Sequence, residues 1–146
     1  MSPKRPPPTV LVVQRDGALA ATYAAWLRRA GFLVTLCGRP PWPDKPCPLL
    51  TTGRCALCET ADVFVYDPWL YVRPDGSGSA ELIRALRRTY PDHPVLLTWG
   101  SEGMPAEVRA QQTDLVREAP AEPAALVDAV REALAVRRRL RRRRRP

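Results

Sequence analysis

Two groups of residues in this chain have the types and spacing to do chemistry. The first is a lone carboxylate. In "ADVFVYDPWL" (Ala61 to Leu70) the apolar run Val63, Phe64, Val65 and Tyr66 ends abruptly on Asp67. A carboxylate at the end of a buried strand must be hydrated, paired with a cation or chemically employed, because a buried unpaired charge is costly. The second group is four thiols. All of them fall in "CGRPPWPDKPCPLLTTGRCALC", as Cys37, Cys47, Cys55 and Cys58, spaced C-x9-C-x7-C-x2-C.

Three states of those thiols are open. A tetrahedral Zn²⁺ held by all four suits a reducing compartment and the single C-x2-C knuckle. Two disulfides suit an oxidising compartment or a hyperthermophile. Free, partly buried thiols are the third state. An iron–sulfur cluster is disfavoured, since the spacing matches neither common ferredoxin pattern. With four protein ligands a zinc would be structural, with no open position for catalysis. Prolines at 40, 41, 43, 46 and 48 exclude a regular helix over the first half of this stretch. It has too few apolar residues to fold by itself, which favours a local staple.

The elements that position these groups alternate. Thr9–Val13 predicts a strand, and Ala18–Ala30 an amphipathic helix with Leu19, Tyr23, Trp26, Leu27 and Ala30 on one face and Gly31 as its stop. Phe32–Leu36 and Val63–Tyr66 predict further strands. Ser79 can cap a helix over "AELIRALRRTY" that buries Leu82, Ile83, Leu86 and Tyr90. Val95–Thr98 is a fourth strand, a short helix follows Pro105, and Asp114–Val116 is a weak fifth strand. Pro123 stands near the start of a helix whose inner face is Leu126, Val127, Val130 and Leu134.

Near-continuous apolar strands alternating with helices predict a parallel sheet covered on both faces. The fold class is therefore α/β: a doubly wound, five-stranded parallel sheet, flavodoxin-like, in strand order 2-1-3-4-5. Sites in such folds form beyond the C-terminal ends of the strands. The residues falling there are Gln14, Arg15 and Asp16, then Asp67, then Thr98, then Ala119 and Pro120.

From about Thr9 to Val136 the chain resembles a response regulator receiver domain. "VLVVQRDGALAATYAAWLRRAGFLV" is similar to the receiver's first strand, first helix and closing Gly. "ADVFVYDPWL" resembles the phosphoacceptor segment, placing the acceptor on Asp67; "HPVLLTWG" puts Thr98 at the hydroxyl position. "DLVREAPAEPAALVDAV" resembles the last strand, the Lys-Pro step and the final helix. The departures are informative. The acidic pair that holds Mg²⁺ in receivers falls on Gln14 and Arg15, with Asp16 one position late. The phosphoryl-contacting Lys falls on Ala119, although Pro120 follows it, and the aromatic switch position falls on Val116. The resemblance thus implies a degenerate receiver without a Mg²⁺ site. Asp67 is then paired with Arg15, simply solvated, or still a phosphoacceptor.

The chain has 146 residues, enough for one domain with a real core, and a net charge of +8. That charge is localised. Arg137, Arg138, Arg139, Arg141, Arg142, Arg143, Arg144 and Arg145 lie together, and without those eight the chain carries 15 basic and 15 acidic residues. The organisation expected is a disordered proline-rich stretch over 1–8, a receiver-like domain over 9–136 with the Cys/Pro-rich insert at 37–58, and an Arg-rich tail over 137–146. The tail continues the last helix and, through mutual repulsion, frays when free. It is a solubility tail, a nucleic-acid attachment or, less favoured, an attachment to an anionic membrane surface.

His93, in "YPDHPV", reads as a solvated loop histidine, and "PDGSGS" (Pro74 to Ser79) as a flexible loop lacking a phosphate-loop ending. The tryptophans at 42, 69 and 99 fall near strand ends or in the insert, either for packing or as a partner patch. No apolar run approaches a membrane span, and prolines stand where a signal peptide needs its apolar region. The expectation is a cytoplasmic bacterial signalling or regulatory module that works by protein–protein contact. It is not expected to be an enzyme, since no nucleophile–base pair or open metal site assembles. The alternatives are a nucleic-acid-associated protein using its arginines, and a working phosphoacceptor.

Overall fold

The computed structural model describes residues 5–37, 47–70, 79–99 and 103–145. In chain order the elements are β1 (Thr9–Val13), α1 (Gly17–Arg29), β2 (Leu33–Leu36), α2 (Pro48–Thr51), α3 (Ala56–Thr60) and β3 (Val63–Tyr66). They continue with α4 (Ser79–Thr89), β4 (Val95–Trp99), α5 (Ala106–Arg109), β5 (Val116–Pro120) and α6 (Pro123–Arg144). The strands form one parallel sheet in the order β2-β1-β3-β4-β5, as the alternation of apolar strands and helices predicts.

Successive strand residues point to opposite faces. Leu11, Val13, Phe64, Tyr66, Val95 and Leu97 face α4 together with α2, α3 and α5. Val10, Val12, Val63, Val65, Leu96 and Ala119 face α1 and α6. Both faces are dry, which is why these strands read as unbroken apolar runs.

Helix α1 begins where the Asp16 carboxylate accepts hydrogen bonds from the Ala18 and Leu19 amides at 2.9 and 3.1 Å. It ends before Gly31, whose φ of 98° few other residues adopt. Its buried stripe is Ala20, Tyr23, Ala24 and Leu27. Leu19, expected on that face, is instead 43% exposed; the helix is rotated so that small alanines meet the sheet.

The fifth strand starts later than expected. Asp114 lies in a turn closed by the Thr113 hydroxyl, which accepts from the Leu115 and Val116 amides. Pairing with β4 then runs from Val95↔Val116 to Trp99↔Pro120. Ala119 and Pro120 are therefore inside the strand rather than beyond it. The mixed sequence "VREAP" hides this, because only Val116 and Ala119 of an edge strand are buried.

The expected boundary at residue 137 also needs correction. Helix α6 continues to Arg144, and its buried stripe of Leu126, Val130, Ala133 and Leu134 extends to Arg137, itself 6% exposed. At the other end, the Leu33 amide donates to the Pro8 carbonyl at 3.0 Å, so strand pairing reaches into the proline-rich start. Within the insert, the region 38–46, including Trp42, lies outside the described residues, as do 74–78 of the "PDGSGS" loop and the Ser79 side chain expected to cap α4.

Candidate functional site

The sheet register assembles one row of side chains at the C-terminal edge. Val13 pairs with Tyr66, and Tyr66 with Leu97, so Gln14, Asp67 and Thr98 follow side by side in three adjacent strands; Thr98 pairs in turn with Ala119. The Asp67 amide donates to the Val13 carbonyl at 2.8 Å, holding this residue against β1 as β3 ends. Asp67 is 3% exposed.

The burial of that carboxylate is compensated on both oxygens. Oδ1 accepts from the Trp69 amide at 2.9 Å. Oδ2 lies 3.1 Å from Arg15 Nε and 3.4 Å from the Arg15 amide. Arg15 is half-exposed, so its guanidinium closes the edge from the solvent side. Gln14 Oε1 accepts from the Asp16 amide at 3.2 Å, which stabilises the tight departure from β1. Asp16 spends its carboxylate on capping α1 and does not turn toward Asp67.

Beside the pair is a cavity of about 150 Å³ whose lining includes the polar groups of Gln14, Arg15, Asp16, Tyr23, Asp67 and Thr98 and the apolar side chains of Leu19, Trp69 and Trp99. Thr98 Oγ1 is buried without a hydrogen bond of good geometry; the Tyr23 phenol is the polar group that interacts with it. Burial, and then the nearby Asp67 charge, push the Tyr23 hydroxyl above its ordinary range, with the neighbouring Thr98 hydroxyl opposing them. Neither Tyr23 nor Trp69 is assigned to this edge by the sequence: Tyr23 reads as a helix-face aromatic and Trp69 as packing or a partner patch, and only the folded edge brings them to Asp67. The Trp69 indole is partly engaged elsewhere, donating to the Gly103 carbonyl at 3.0 Å.

This donor set does not fit a hard divalent cation. Mg²⁺ needs two or more oxygens, with carboxylates among them, in near-octahedral array. Here one carboxylate is paired to a guanidinium, the second caps a helix, and the remaining positions are an amide and an arginine.

The four thiols lie on the opposite face from α1. Cys58 is in the core cluster, and Cys37, Cys47 and Cys55 pack against that same cluster. No disulfide joins them. Among the described residues no three side chains are gathered closely enough to hold a metal ion as they stand. Burial pushes the Cys58 thiol well up, aided by Cys55, Cys47 and Cys37.

The arginines do not form a uniform tail. Arg137 Nη1 bonds Asp62 Oδ1 at 2.6 Å, and Nη2 lies 3.2 Å from His93 Nε2. Arg144 pairs with Asp92. Positions 137, 141 and 144 continue the line of the α6 stripe toward the domain, whereas Arg138, Arg139, Arg142, Arg143 and Arg145 lie off that line and are exposed. His93 is accordingly not a solvated loop residue. Its ring stacks on Phe64 at 5.7 Å and meets Tyr90 edge-on at 5.4 Å. Burial, then Arg137 and Arg141, lower its pKa to about 4, against the opposing pull of Asp62 and Asp92. No local pattern announces this cluster, because Arg137 stands 75 residues from Asp62 and 44 from His93 along the chain.

Strand order, helix placement and the aligned Asp67 and Thr98 define the fold of response regulator receiver domains. The comparisons agree. The signal receiver domain of an HD domain-containing protein from Pseudomonas fluorescens superposes with a TM-score of 0.67 at 16% identity, covering 98% of each chain. A response regulator receiver protein from Sinorhizobium medicae gives 0.61 at 21% identity over 90% of this chain and 97% of that one. A Burkholderia pseudomallei protein described as pilus assembly-related gives 0.58 at 25% identity over 88% and 90%. No family model matches the chain, and no curated protein does. No helix among the described residues is long and apolar enough to cross a membrane.

Proposed function

We propose that this chain is a receiver-like signalling module that acts by protein–protein contact, without Mg²⁺-dependent phosphorylation and without enzymatic activity. The observation carrying this reading is Arg15 Nε at 3.1 Å from the buried Asp67 Oδ2. Phosphoryl transfer depends on positioning and on neutralising charge at the acceptor, a task the metal ion largely performs in such sites. Here the guanidinium neutralises the acceptor permanently, and the Trp69 amide holds its other oxygen. The edge is thereby fixed in one state, and its output is a constant surface rather than a switched one.

Incubating the full chain with acetyl phosphate and Mg²⁺, followed by intact-mass measurement, tests this directly. No more than a trace of phosphorylated chain is expected. Rapid stoichiometric labelling that disappears in Asp67→Asn would overturn the proposal and establish a working phosphoacceptor. Gln14→Asp with Arg15→Asp recovers labelling if the edge has lost only its metal ligands.

A second reading rests on α6. Five exposed arginines, four on a helix docked to the domain and Arg145 at its C-cap, form a cationic surface suited to the phosphates of nucleic acid, with no means of reading sequence. Such binding would add an anchoring role to the module, with vesicles of anionic lipid as the competing ligand to exclude.

A further inference from the structure

The segment between β2 and β3 ends in a thiol pair that the proposed function does not use. Cys55 is the N-cap of α3, and Cys58 is the third residue of that helix, within its first turn. The Cys55 carbonyl accepts from the Glu59 amide at 3.0 Å, which fixes the cap at this residue. Three residues of helical rise, with the rotation that accompanies them, put the two Cα atoms roughly 5 Å apart. Side chains on a helix lean toward its N-terminus, so the third residue reaches back over the cap, as in a capping box. A disulfide needs Cα atoms about 4.4–6.8 Å apart. The pair meets that backbone requirement without displacing the helix.

The two thiols differ in access. Cys58 is 6% exposed and belongs to the core cluster, whereas Cys55 is half-buried and packs at its margin. Cys55 stands where a serine, threonine or aspartate would accept the first helical amides, yet its side chain makes no capping hydrogen bond. The Tyr90 hydroxyl bonds the Cys55 carbonyl at 3.4 Å and Glu59 Oε1 at 3.1 Å, holding this turn against α4. A reversible dithiol needs one sulfur that an oxidant can reach and a second that the first can reach. Cys55 and Cys58 are arranged in that way.

We infer that Cys55 and Cys58 form a reversible dithiol–disulfide site, in which Cys55 meets a peroxide oxidant and Cys58 resolves the product. The Cys55 thiol loses its proton to solvent, and the thiolate attacks one oxygen of hydrogen peroxide. The O–O bond breaks, hydroxide leaves and takes up a proton, and Cys55 becomes a sulfenic acid. The Cys58 sulfur then attacks the Cys55 sulfur. An S–S bond forms, the S–O bond breaks, and the departing hydroxide takes the Cys58 proton as water. The two thiols together give up two electrons and two hydrogens, and one peroxide becomes two waters. A dithiol reductant reverses the bond by thiol–disulfide exchange. The order of events follows from access: a buried thiol is inert toward an external oxidant, and the half-buried one is not.

The test uses the full chain, fully reduced, treated with a small excess of hydrogen peroxide, then alkylated under denaturing conditions and digested. Trypsin parts the thiols two by two, with Cys37 and Cys47 in peptide 30–54 and Cys55 and Cys58 in peptide 55–84. Peptide 55–84 is expected two hydrogens lighter and without alkyl groups, while peptide 30–54 is alkylated twice. Dithiothreitol before alkylation should restore both sites in peptide 55–84. Cys58→Ser should stop at the sulfenic acid, trapped by dimedone on Cys55, and Cys37→Ser and Cys47→Ser should leave the bond unaffected. If Cys58→Ser does not fold, the peptide map of the unsubstituted chain decides the matter by itself. Four alkylated thiols after peroxide overturn the site. So does a bond that links the two peptides, or oxygen added to peptide 55–84 with both hydrogens retained. None of these outcomes bears on the Arg15–Asp67 reading, which stands or falls on phosphorylation.

Discussion

Arg137→Ala should destabilise this protein although it removes one charge from a run of like charges. The side chain is 6% exposed, and its guanidinium joins α6 to the loop before β3 through Asp62. Losing a hydrogen bond to a charged group costs about 1.5–3 kcal/mol. Losing the packed aliphatic stem adds roughly 1 kcal/mol. Two features reduce the total below the ~3–5 kcal/mol of a fully buried pair that loses one partner. The Asp62 side chain is 35% exposed and keeps the bond from the Thr9 amide at 2.8 Å. In addition, Arg137 Nε is buried without a partner, a cost the substitution removes. The net expectation is about 2–3 kcal/mol, or a fall in Tm of roughly 4–12 °C for a chain of this length. Arg138→Ala, on the exposed side of the same turn, should stay within about 0.5 kcal/mol. Urea melts of both variants, with Asp62→Asn and the Arg137→Ala/Asp62→Asn double variant, supply the coupling energy, expected near ~1–2 kcal/mol. If Arg137→Ala and Arg138→Ala unfold at the same urea concentration, the helix end is not docked and the reasoning fails.

The His93 cluster predicts a pH dependence. The folded imidazole stays neutral down to about pH 4, whereas an unfolded chain protonates histidine near ~6.5. Between those values the unfolded state binds the extra proton, so stability falls as pH drops from about 6.5 to about 4, and this contribution then levels off. His93→Gln should flatten that slope in urea melts at stepped pH; an unchanged slope would assign it to other groups. For the outward arginines, replacing Arg138, Arg139, Arg142, Arg143 and Arg145 with Ala should abolish salt-sensitive binding to duplex DNA while leaving Tm nearly unchanged. The log–log salt slope should shrink by about 0.9 for each phosphate that is no longer neutralised. Retained binding would place the DNA surface elsewhere in the domain. Deleting the whole 137–146 stretch is the wrong test, since it removes Arg137 from the core.

Much of the architecture is legible in order along the chain. Apolar strands at Thr9–Val13, Val63–Tyr66 and Val95–Thr98, separated by helical periodicity, specify a covered parallel sheet because nearest-neighbour patterning is a local property. The same locality puts Asp67 and Thr98 at strand ends, and with them the C-terminal edge. It cannot fix β5, whose residues are half exposed and take their strand conformation from pairing with β4. It cannot choose between a solvated and a paired Asp67 either, since that depends on where Arg15 points after β1 ends. The arginine run shows the limit most clearly. By composition its eight members are equivalent, and along the sequence they read as one tail. Only the docking of α6 against the sheet separates Arg137, buried against Asp62 and His93, from Arg138, which meets water. A helix turns by a fixed angle per residue, so which arginine is structural and which is free is decided by the face the core has already claimed.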